Sequence, residues 1–390
     1  MVDKKLFILV SIMIGIGIIL VYTLSSYVTI YFHQNQFHYA LRQLAFGFLG
    51  ITIMSLLAQL DSEKWLKIIG LTLFFTSTAL MSAMPFLPEN YVSAVGGAKR
   101  WIKVFGFSLA PVEFFKVGFI YFLAWSFSRK LGHHGGMSLV NEFKRFLPYG
   151  IMFLSAVYVI AFVQNDLGQV VVLSLTLLVF LALIGSSFRF FGSLILAGVV
   201  VLAFAIFSKE HRIDRILSWW SLAQNTVLEI FPEFIAQKLR IPVEVEPYQI
   251  GHSLNAIHHG GFFGTGLANG TFKLGFLSEV HTDFILAGLV EEFGFFGILF
   301  VVYIFLYILL RIFKIANRAE DRTVYLFSVG VGLMLSFAFL VNAYGISGLI
   351  PIKGIAVPFL SYGGSTTIAG SIAIGMVLMA SKKVDMENKL

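Results

Sequence analysis

Residues 277–310 read LSEVHTDFILAGLVEEFGFFGILFVVYIFLYILL. From Asp283 onward this stretch is apolar over a length that crosses ~30 Å of hydrocarbon as a helix. Its start places Glu279 and His281 beside Asp283, at the entrance of that helix, and two further glutamates follow two turns deeper. Acidic side chains at such depth are costly, so they must be solvated, paired or used chemically. The stretch therefore predicts a membrane helix with a functional polar entrance.

The composition of the whole chain is that of an integral membrane protein. Of its 390 residues, 58% are hydrophobic and only 13% are charged, whereas soluble domains carry about 25% charged residues. The mean hydropathy of +0.86 agrees. An ordinary soluble enzyme or binding module is thereby excluded. The sequence has no cysteine, which excludes disulfide bonds and thiolate metal sites.

Apolar runs of membrane-spanning length recur from end to end and predict about ten transmembrane helices. The first run is too long for a signal-peptide core and no small-residue cleavage site follows it, so we interpret it as a retained helix. The predicted fold class is an all-α polytopic integral membrane protein, with residues 1–390 as one domain and a long outer loop at 208–282 between helices 7 and 8. The predicted spans are residues 6–26, 40–58, 66–86, 110–128, 147–163, 168–186, 190–207, 283–310, 324–345 and 363–381.

Lysine and arginine in the short connections predict the orientation of these helices. By the positive-inside rule, the connections that carry them face the cytoplasm, and both chain termini lie there. The net charge of +7 is then mainly a topology signal. Nucleic-acid binding is not predicted, because no basic patch is interleaved with aromatic residues. The cytoplasmic set comprises Lys4, Lys5, Lys64, Arg129, Lys130, Lys144, Arg145, Arg189, Arg311, Lys314, Arg318, Arg322, Lys382 and Lys383.

The outer segment at 87–109 combines a glycine pair with Lys99, Arg100 and Trp101. Two interpretations stay open. The cations can bind a phosphate-bearing ligand, since arginine contacts phosphate oxygens in a bidentate manner. Alternatively, the segment is an interfacial anchor, because tryptophan and basic residues gather at membrane boundaries.

Two polar features lie at the entrances of the neighbouring helices. Glu113 and Lys116 are three residues apart, hence on one helical face, and an ion pair there faces the bundle interior or a water-filled cavity. Asp166, in a QNDLG turn, is interpreted mainly as the N-cap of the following helix.

Three further segments shape the predicted outer face. Residues 258–270, HHGGFFGTGLANG, form either a phosphate-binding backbone or a flexible loop. Residues 222–240 are amphipathic and are expected along the membrane surface. Two prolines break any helix in 348–365, so that segment should line the same polar cavity, where Lys353 would add a cation.

Six motifs together resemble those of the SEDS proteins (shape, elongation, division and sporulation), which are polytopic peptidoglycan glycosyltransferases. The resemblance covers most of the chain, and the motifs agree in order and spacing. They are GGAKRW at 96–101, LAPVEFFK at 109–116, QNDLG at 164–168, YQIGHSL at 248–254, KLGFLSEVHTDFILAGLVEEFG at 273–294 and VPFLSYGGS at 357–365.

The chain departs from the family pattern at several positions. Ala110 and Val112 stand where the family has Gln and Ser, so hydrogen bonds of those side chains do not carry over. Asn165 and Ser278 replace prolines, and residues 210–245 have no recognisable counterpart. The PIKG stretch at 351–354 and the N-terminal segments resemble the division members more than the elongation members.

The resemblance implies polymerisation of lipid II with release of undecaprenyl pyrophosphate. The reaction would take place on the periplasmic face of the bacterial inner membrane, at the division septum. The resemblance also implies that Asp283 is either the catalytic general base or a positioning group, with Lys116 holding Glu113 nearby. No cofactor is evident, no metal site is predicted, and a divalent cation at Asp283 or Glu279 is left open. The implied partners are a class B penicillin-binding protein, which is a transpeptidase, and other division proteins. Substrate contacts are expected from Lys99, Arg100, Trp101, Glu279, His281, Lys353 and Ser361.

Three alternative functions remain at this point. The first is the same reaction in cell elongation rather than division. The second is a transporter of the lipid-linked precursor, which a polar cavity and broken helices would also suit. Against it, the polar residues cluster at the outer face and the chain has no inverted repeat. The third is a non-catalytic division scaffold, which would not need Asp283.

Overall fold

A computed structural model describes residues 2–88, 90–95, 98–104, 107–130, 138–229, 231–241, 248–352 and 354–384. Helices dominate these residues. Their bounds are α1 Lys4–Leu24, α2 Ser26–Tyr31, α3 His38–Gln59, α4 Ser62–Ala83, α5 Pro111–Lys130, α6 Leu139–Tyr158, α7 Leu167–Leu183, α8 Phe188–Phe207, α9 Glu210–Leu228, α10 Glu233–Leu239, α11 Tyr248–Gly260, α12 Ile285–Asn317, α13 Arg322–Ile346 and α14 Gly364–Ser381.

The ten predicted spans coincide with α1, α3 to α8 and α12 to α14, which confirms the all-α membrane class. Eight helices in the described ranges are long and apolar enough to cross a membrane by length and composition. The other two are α7, which is apolar but has only 17 residues, and α5, which carries Glu113 and Lys116. Helix α12 begins at Ile285, so Asp283 lies in the turn before the helix rather than inside it.

The interior of the bundle is formed by α5, α13 and α14, whose side chains are mostly buried. Small residues let these helices approach their neighbours closely, as is usual between membrane helices. Gly118 of α5 packs directly on the backbone of α4, where an added Cβ would lie 2.3 Å from the Phe74 nitrogen. The backbone itself would then have to move.

We expect Gly118→Ala to lower the free energy of unfolding by about 1–3 kcal/mol, because over-packing a tight contact forces the backbone to shift. Gly198→Ala, in α8, is the matched control, since nothing lies within 4 Å of a Cβ at that position. Thermal unfolding of both variants in detergent measures the difference. Equal midpoints for the two variants would contradict the close contact between α4 and α5.

A small antiparallel sheet interrupts the helical pattern in the outer segment, with strand order β1-β2-β3. The strands are β1 Val92–Val95, β2 Ala98–Val104 and β3 Phe107–Leu109. In β2, Trp101 pairs with Ser93 of β1, and Lys103 pairs with Ser108 of β3. The composition of this segment does not indicate strands, because each strand is short and β2 carries several basic residues.

The long outer loop is largely helical. It contains α9, α10 and α11, and the amphipathic segment 222–240 spans the end of α9 and all of α10, with a break before Pro232. Arg212 fastens α9 to the bundle. Its guanidinium donates to the carbonyl of Ala205 at 2.5 Å, to the carbonyl of Ala161 at 2.5 Å and to Asn165 Oδ1 at 2.8 Å.

Helix α12 is broken at Gly294, whose backbone has φ 68° and ψ −164°. The glycine-rich segment after α11 packs against this break and supplies the missing hydrogen bonds. The amides of Thr265 and Gly266 donate to the carbonyls of Glu291 and Glu292 at 2.9 and 3.0 Å. Non-helical backbone within a membrane protein persists where other protein groups satisfy it. The glycines therefore serve a turn that supports α12, which differs from both sequence interpretations.

One end of the bundle collects the residues predicted to face the cytoplasm. Asp3 pairs with Arg311 at 2.7 Å, and its amide donates to Ser381 Oγ at 3.1 Å. Lys383 pairs with Glu63. The opposite end carries the β-sheet, the turn that holds Asp283 and the segment that precedes α14, so the polar outer segments meet at one face.

Candidate functional site

Asp283 lies in a turn whose backbone is held from two sides. Asn342, near the end of α13, donates through Nδ2 to the carbonyl of Asp283 at 2.6 Å and to the carbonyl of Ile355 at 2.7 Å. Gly354 lies directly against the carboxylate, since a Cβ there would be 2.9 Å from Asp283 Oδ2. The side chain of Asp283 is partly exposed. The backbone at Asp283 is therefore held in place, while the residue is partly accessible from outside.

The surroundings of Asp283 favour the protonated form more than water does. Burial, followed by the nearby carboxylates of Glu279 and Asp166, raises the pKa of Asp283 to about 6, while Arg100 and Arg215 oppose this effect. A carboxylate with a pKa near the working pH can accept a proton in the transition state and release it afterwards. A raised pKa of this kind is compatible with the predicted general-base role of Asp283.

Glu279 is exposed at the edge of the same turn and adopts a left-handed backbone conformation with φ 56°. Thr282 donates through Oγ1 to Glu279 Oε2 at 2.9 Å, and the amides of Thr282 and Phe284 donate to the Glu279 carbonyl. This local ring of hydrogen bonds fixes the shape of the turn. The Glu279 side chain is exposed to solvent.

His281 and Ser361 join the turn to the segment before α14. The buried His281 ring lies 4.8 Å from the ring of Tyr39 and 5.7 Å from that of Tyr362, and burial lowers the pKa of the imidazole. Ser361 donates through Oγ to the carbonyl of Thr282 at 2.6 Å and accepts from the Val357 amide at 2.8 Å. Because its hydroxyl is committed on both sides, Ser361 positions the turn.

Arg100 reaches from β2 to the QNDLG turn. Its Nε donates to the carbonyl of Gln164 at 2.7 Å, Nη2 donates to that of Asn165 at 2.6 Å, and Nη1 lies 4.0 Å from Asp166 Oδ2. Asp166 Oδ1 also accepts a hydrogen bond from the backbone amide of Gln169 at 3.3 Å, which confirms the predicted role of Asp166 as the N-cap of α7. Burial raises the pKa of Asp166, and the Arg100 guanidinium counteracts the shift.

Lys99 and Trp101 flank Arg100 on the same strand. Lys99 donates through Nζ to the carbonyl of Pro85 at 3.2 Å. The Arg100 guanidinium carbon lies 5.9 Å from the Trp101 ring, which is half-buried against the core. Lys99 therefore points toward the end of α4, whereas Arg100 belongs to the electrostatic surroundings of Asp283. Lys353, Gly96 and Gly97 lie outside the described residues.

Glu113 and Lys116 form the predicted ion pair, at 2.9 Å, and the pair is buried. Gln169 of α7 closes a triad, because it accepts from Lys116 Nζ at 2.7 Å and donates to Glu113 Oε1 at 3.0 Å. The triad lines a cavity of about 30 Å³, room for about one or two waters, which is bordered by the residues that follow Gly354. Asp283 is not among the described residues that line this cavity.

The structure adds three residues that the sequence did not single out. Asn342 and Gln169 act through hydrogen bonds to distant segments, and no sequence pattern marks them. Arg215 is exposed on α9 and acts electrostatically on Asp283, but it falls in the stretch without a family counterpart. Within the described ranges no group of three or more His, Asp or Glu converges, so a divalent cation at Asp283 or Glu279 would need substrate oxygens to complete its ligands.

Comparison with known proteins gives the same family along the whole chain. Residues 3–386 match the model of a family described as cell cycle proteins, which comprises FtsW, RodA and SpoVE. A protein named probable peptidoglycan glycosyltransferase FtsW from Helicobacter pylori is 44% identical over 381 residues, covering 97% of this chain and 98% of the relative. A protein of the same name from Haemophilus influenzae is 31% identical and covers 100% of this chain and 91% of the relative.

Solved structures agree on the fold. One chain comes from a structure that describes the structural coordination of polymerization and crosslinking by a peptidoglycan synthase complex. It matches with a TM-score of 0.72 and 22% identity, and the match covers 98% of both chains. The rod shape determining protein RodA of Thermus thermophilus matches with a TM-score of 0.65 and 20% identity, over 99% of this chain and 98% of that one.

Proposed function

This chain belongs to the SEDS family of cell cycle proteins, and from this premise we propose that it polymerises lipid II into glycan strands during division. It is a multi-pass membrane protein and a peptidoglycan glycosyltransferase of the FtsW type. The observation that supports the proposed chemistry best is the environment of Asp283, which is a fixed, partly exposed carboxylate with a pKa raised to about 6.

The proposed reaction joins the 4-hydroxyl of one disaccharide to the anomeric carbon of another. The new bond forms between that oxygen and carbon, while the bond from the anomeric carbon to the pyrophosphate oxygen breaks. Asp283 takes the hydroxyl proton, and undecaprenyl pyrophosphate leaves with the bonding electrons. A sugar hydroxyl is a weak nucleophile, and a positioned general base accelerates such a step by roughly 10²–10⁴-fold.

The leaving pyrophosphate needs cations, since stabilisation of developing charge is often the largest catalytic contribution. We assign this role first to Arg100 and Arg215, because both act electrostatically on Asp283. Arg100 is held by two backbone carbonyls and is still 31% exposed. Lys99 and Lys353 remain further candidates from the sequence, together with Trp101 as an aromatic contact for the sugar or lipid.

The remaining predicted site residues have supporting roles in this proposal. Glu279 contacts substrate at the rim of the turn, whereas His281 and Ser361 hold the turn in place through ring packing and hydrogen bonds. Glu113 and Lys116 stabilise the base of the site through Gln169. Because the pair is buried and lines a cavity that does not include Asp283, we propose that its members preserve geometry rather than transfer protons.

We also propose the partner and location that the family resemblance implies. A class B penicillin-binding protein would crosslink the strands, and other division proteins would recruit the pair to the septum of the inner membrane. The matched synthase complex, which couples polymerization and crosslinking, supports a transpeptidase partner. The convergence of Asp3, Arg311 and Lys383 at one end of the bundle supports cytoplasmic termini.

Incubation of the purified chain and its cognate transpeptidase with fluorescent lipid II tests the proposal. We expect a ladder of glycan strands and release of undecaprenyl pyrophosphate. Reconstitution in vesicles with the same lipid provides a second readout. Translocation of lipid II across the vesicle membrane without polymer would favour a transporter. If folded protein that binds its partner yields neither polymer nor translocated lipid II, a scaffold would be favoured.

The pH dependence of polymerisation should report the titration of Asp283. Activity should fall as the pH drops through about 6, because protonation removes the base. Glu279→Gln should move the acidic limb of the pH–rate profile to lower pH, since the Glu279 charge raises the pKa of Asp283. Arg215→Gln should move the limb to higher pH, since the Arg215 charge lowers that pKa. Initial rates between pH 5 and 8 measure both shifts. If the two variants move the limb in the same direction, another group titrates.

A further inference from the structure

Another polar cavity lies at the end of the bundle remote from Asp283, between α4, α5, the start of α13 and the end of α14. Its volume is about 530 Å³, which is within the usual range for small-ligand pockets. It lies at the end where Lys383 pairs with Glu63, which the charge distribution assigns to the cytoplasm. The proposed polymerisation chemistry, at the outer face, makes no use of it.

Three cations that line this cavity have no acidic partner in the described ranges, namely Lys67, Arg129 and Arg322. Two of them flank the ring of Trp125. Lys67 Nζ lies 5.6 Å and the Arg129 guanidinium carbon 5.1 Å from the ring centroid. Cation–π contacts hold these side chains beside the ring while their hydrogen-bond donors stay available for a ligand.

One buried hydrogen-bond donor among the described lining residues has no acceptor. Trp125 lines the cavity, and its indole Nε1 is buried without a partner. A buried donor left unpaired costs free energy, so its presence calls for an acceptor that the described protein groups do not provide. The guanidinium and ammonium groups that line the cavity favour a ligand rich in acceptor oxygens and negative charge, such as a phosphate.

The acidic side chains of the cavity are mostly committed elsewhere. Glu63 pairs with Lys383, and Asp321 caps α13 by accepting from the Thr323 amide at 2.6 Å. Glu320 remains as the acid without such a role among the lining residues that the structure describes. Counted together, four cations (Lys67, Arg129, Arg322 and Lys383) and three carboxylates (Glu63, Glu320 and Asp321) line the cavity, which leaves an excess of one positive charge among the described lining residues.

The position of the cavity relative to the membrane decides the source of the phosphate. Trp65, at the start of α4, is exposed, and Lys64 Nζ lies 5.8 Å from its ring. Exposed tryptophan beside lysine marks the level of the lipid headgroups, and basic pockets between helices on the cytoplasmic side bind anionic headgroups. We propose that this cavity binds the phosphate of an anionic phospholipid from the cytoplasmic leaflet.

Titration of phosphatidylglycerol into the full purified chain in detergent, followed by native mass spectrometry, tests the proposal. We expect Lys67→Gln/Arg129→Gln to weaken binding by roughly tenfold or more, since each cation near a headgroup contributes measurably. The matched control is Lys144→Gln/Arg189→Gln, which also removes one lysine and one arginine from the same end but outside the cavity. Its affinity should stay within about twofold of the wild type.

Two further measurements keep the test decisive. Trp125→Phe keeps an aromatic ring but weakens the cation–π contacts that hold Lys67 and Arg129 at the cavity, so it should weaken lipid binding severalfold even if the double variant is unstable. Glycerol phosphate and inorganic phosphate test whether the cavity prefers a soluble phosphate to a lipid. Neither compound should displace phosphatidylglycerol at equal concentration. Equal lipid binding by the cavity and control variants would overturn the proposal. Displacement by the soluble phosphates would overturn its assignment to a lipid.

Discussion

Asp283→Asn is expected to reduce glycan polymerisation by roughly 10²–10⁴-fold, to the background of the assay, while leaving the protein folded. The substitution keeps the size of the side chain and its contact with Gly354, but it removes the carboxylate that we propose as acceptor of the hydroxyl proton. Because Asn342 binds the backbone carbonyl of residue 283, the turn should keep its shape. Strand formation from fluorescent lipid II, measured with the cognate transpeptidase, gives the rate.

Asp214→Asn is the matched control for this prediction. Asp214 is an exposed aspartate on α9, so its replacement changes the net charge equally and should leave the rate unaffected. Thermal unfolding separates a loss of catalysis from a loss of structure. If stably folded Asp283→Asn polymerises at the wild-type rate, the proton acceptor is another group. Glu279 would then be tested next, because it shares the exposed face of the same turn.

Lys273→Met is expected to destabilise the protein by about 3–5 kcal/mol, which is the usual cost of removing one partner from a buried ion pair. Lys273 donates through Nζ to Glu292 Oε1 at 2.7 Å, and both side chains are almost fully buried. The second oxygen of Glu292 has no partner within the described part of the chain. Removal of the lysine would leave a buried carboxylate without compensation, and the thermal unfolding midpoint in detergent measures the loss.

The double variant Lys273→Met/Glu292→Met separates charge from packing. It removes both members of the pair and fills the space with apolar groups, which is often close to neutral for stability. We therefore expect the second substitution to restore most of the midpoint that the first one lowers. If the double variant unfolds at the same temperature as Lys273→Met, the lysine contributes through the packing of its methylene chain rather than through the Glu292 charge.

The membrane topology was accessible from the sequence because it depends on local properties. A run of apolar residues long enough to span the hydrocarbon becomes a helix wherever it occurs, since the backbone groups must bond within the segment. The ends of that run are less well defined. The helix that follows Asp283 begins at Ile285, since a turn held by Glu279 replaces its first predicted residues. The hydropathy of the sequence does not predict such a turn.

The properties of the site residues depend on distant parts of the chain and were only partly accessible. The pairing of Glu113 with Lys116 followed from helical spacing, but the closing of the triad by Gln169 required α5 and α7 to pack together. Strand formation around Arg100 and the electrostatic effect of Arg215 on Asp283 were likewise invisible. The triad and the effect of Arg215 each join segments that are more than fifty residues apart, whereas the strands pair neighbouring residues but are too short to show a pattern.

The sequence by itself determined that the chain is a polytopic helical membrane protein, which end of it is positively charged, and which family its ordered motifs resemble. Hydrophobic run length, charge placement and motif spacing are properties of the chain read in one dimension. The tertiary structure decided that Asp283 is fixed, partly exposed and has a raised pKa, because Gly354, Asn342 and Glu279 surround it from separate segments. Burial and neighbouring charge set a carboxylate's pKa, and both exist only after the chain has folded.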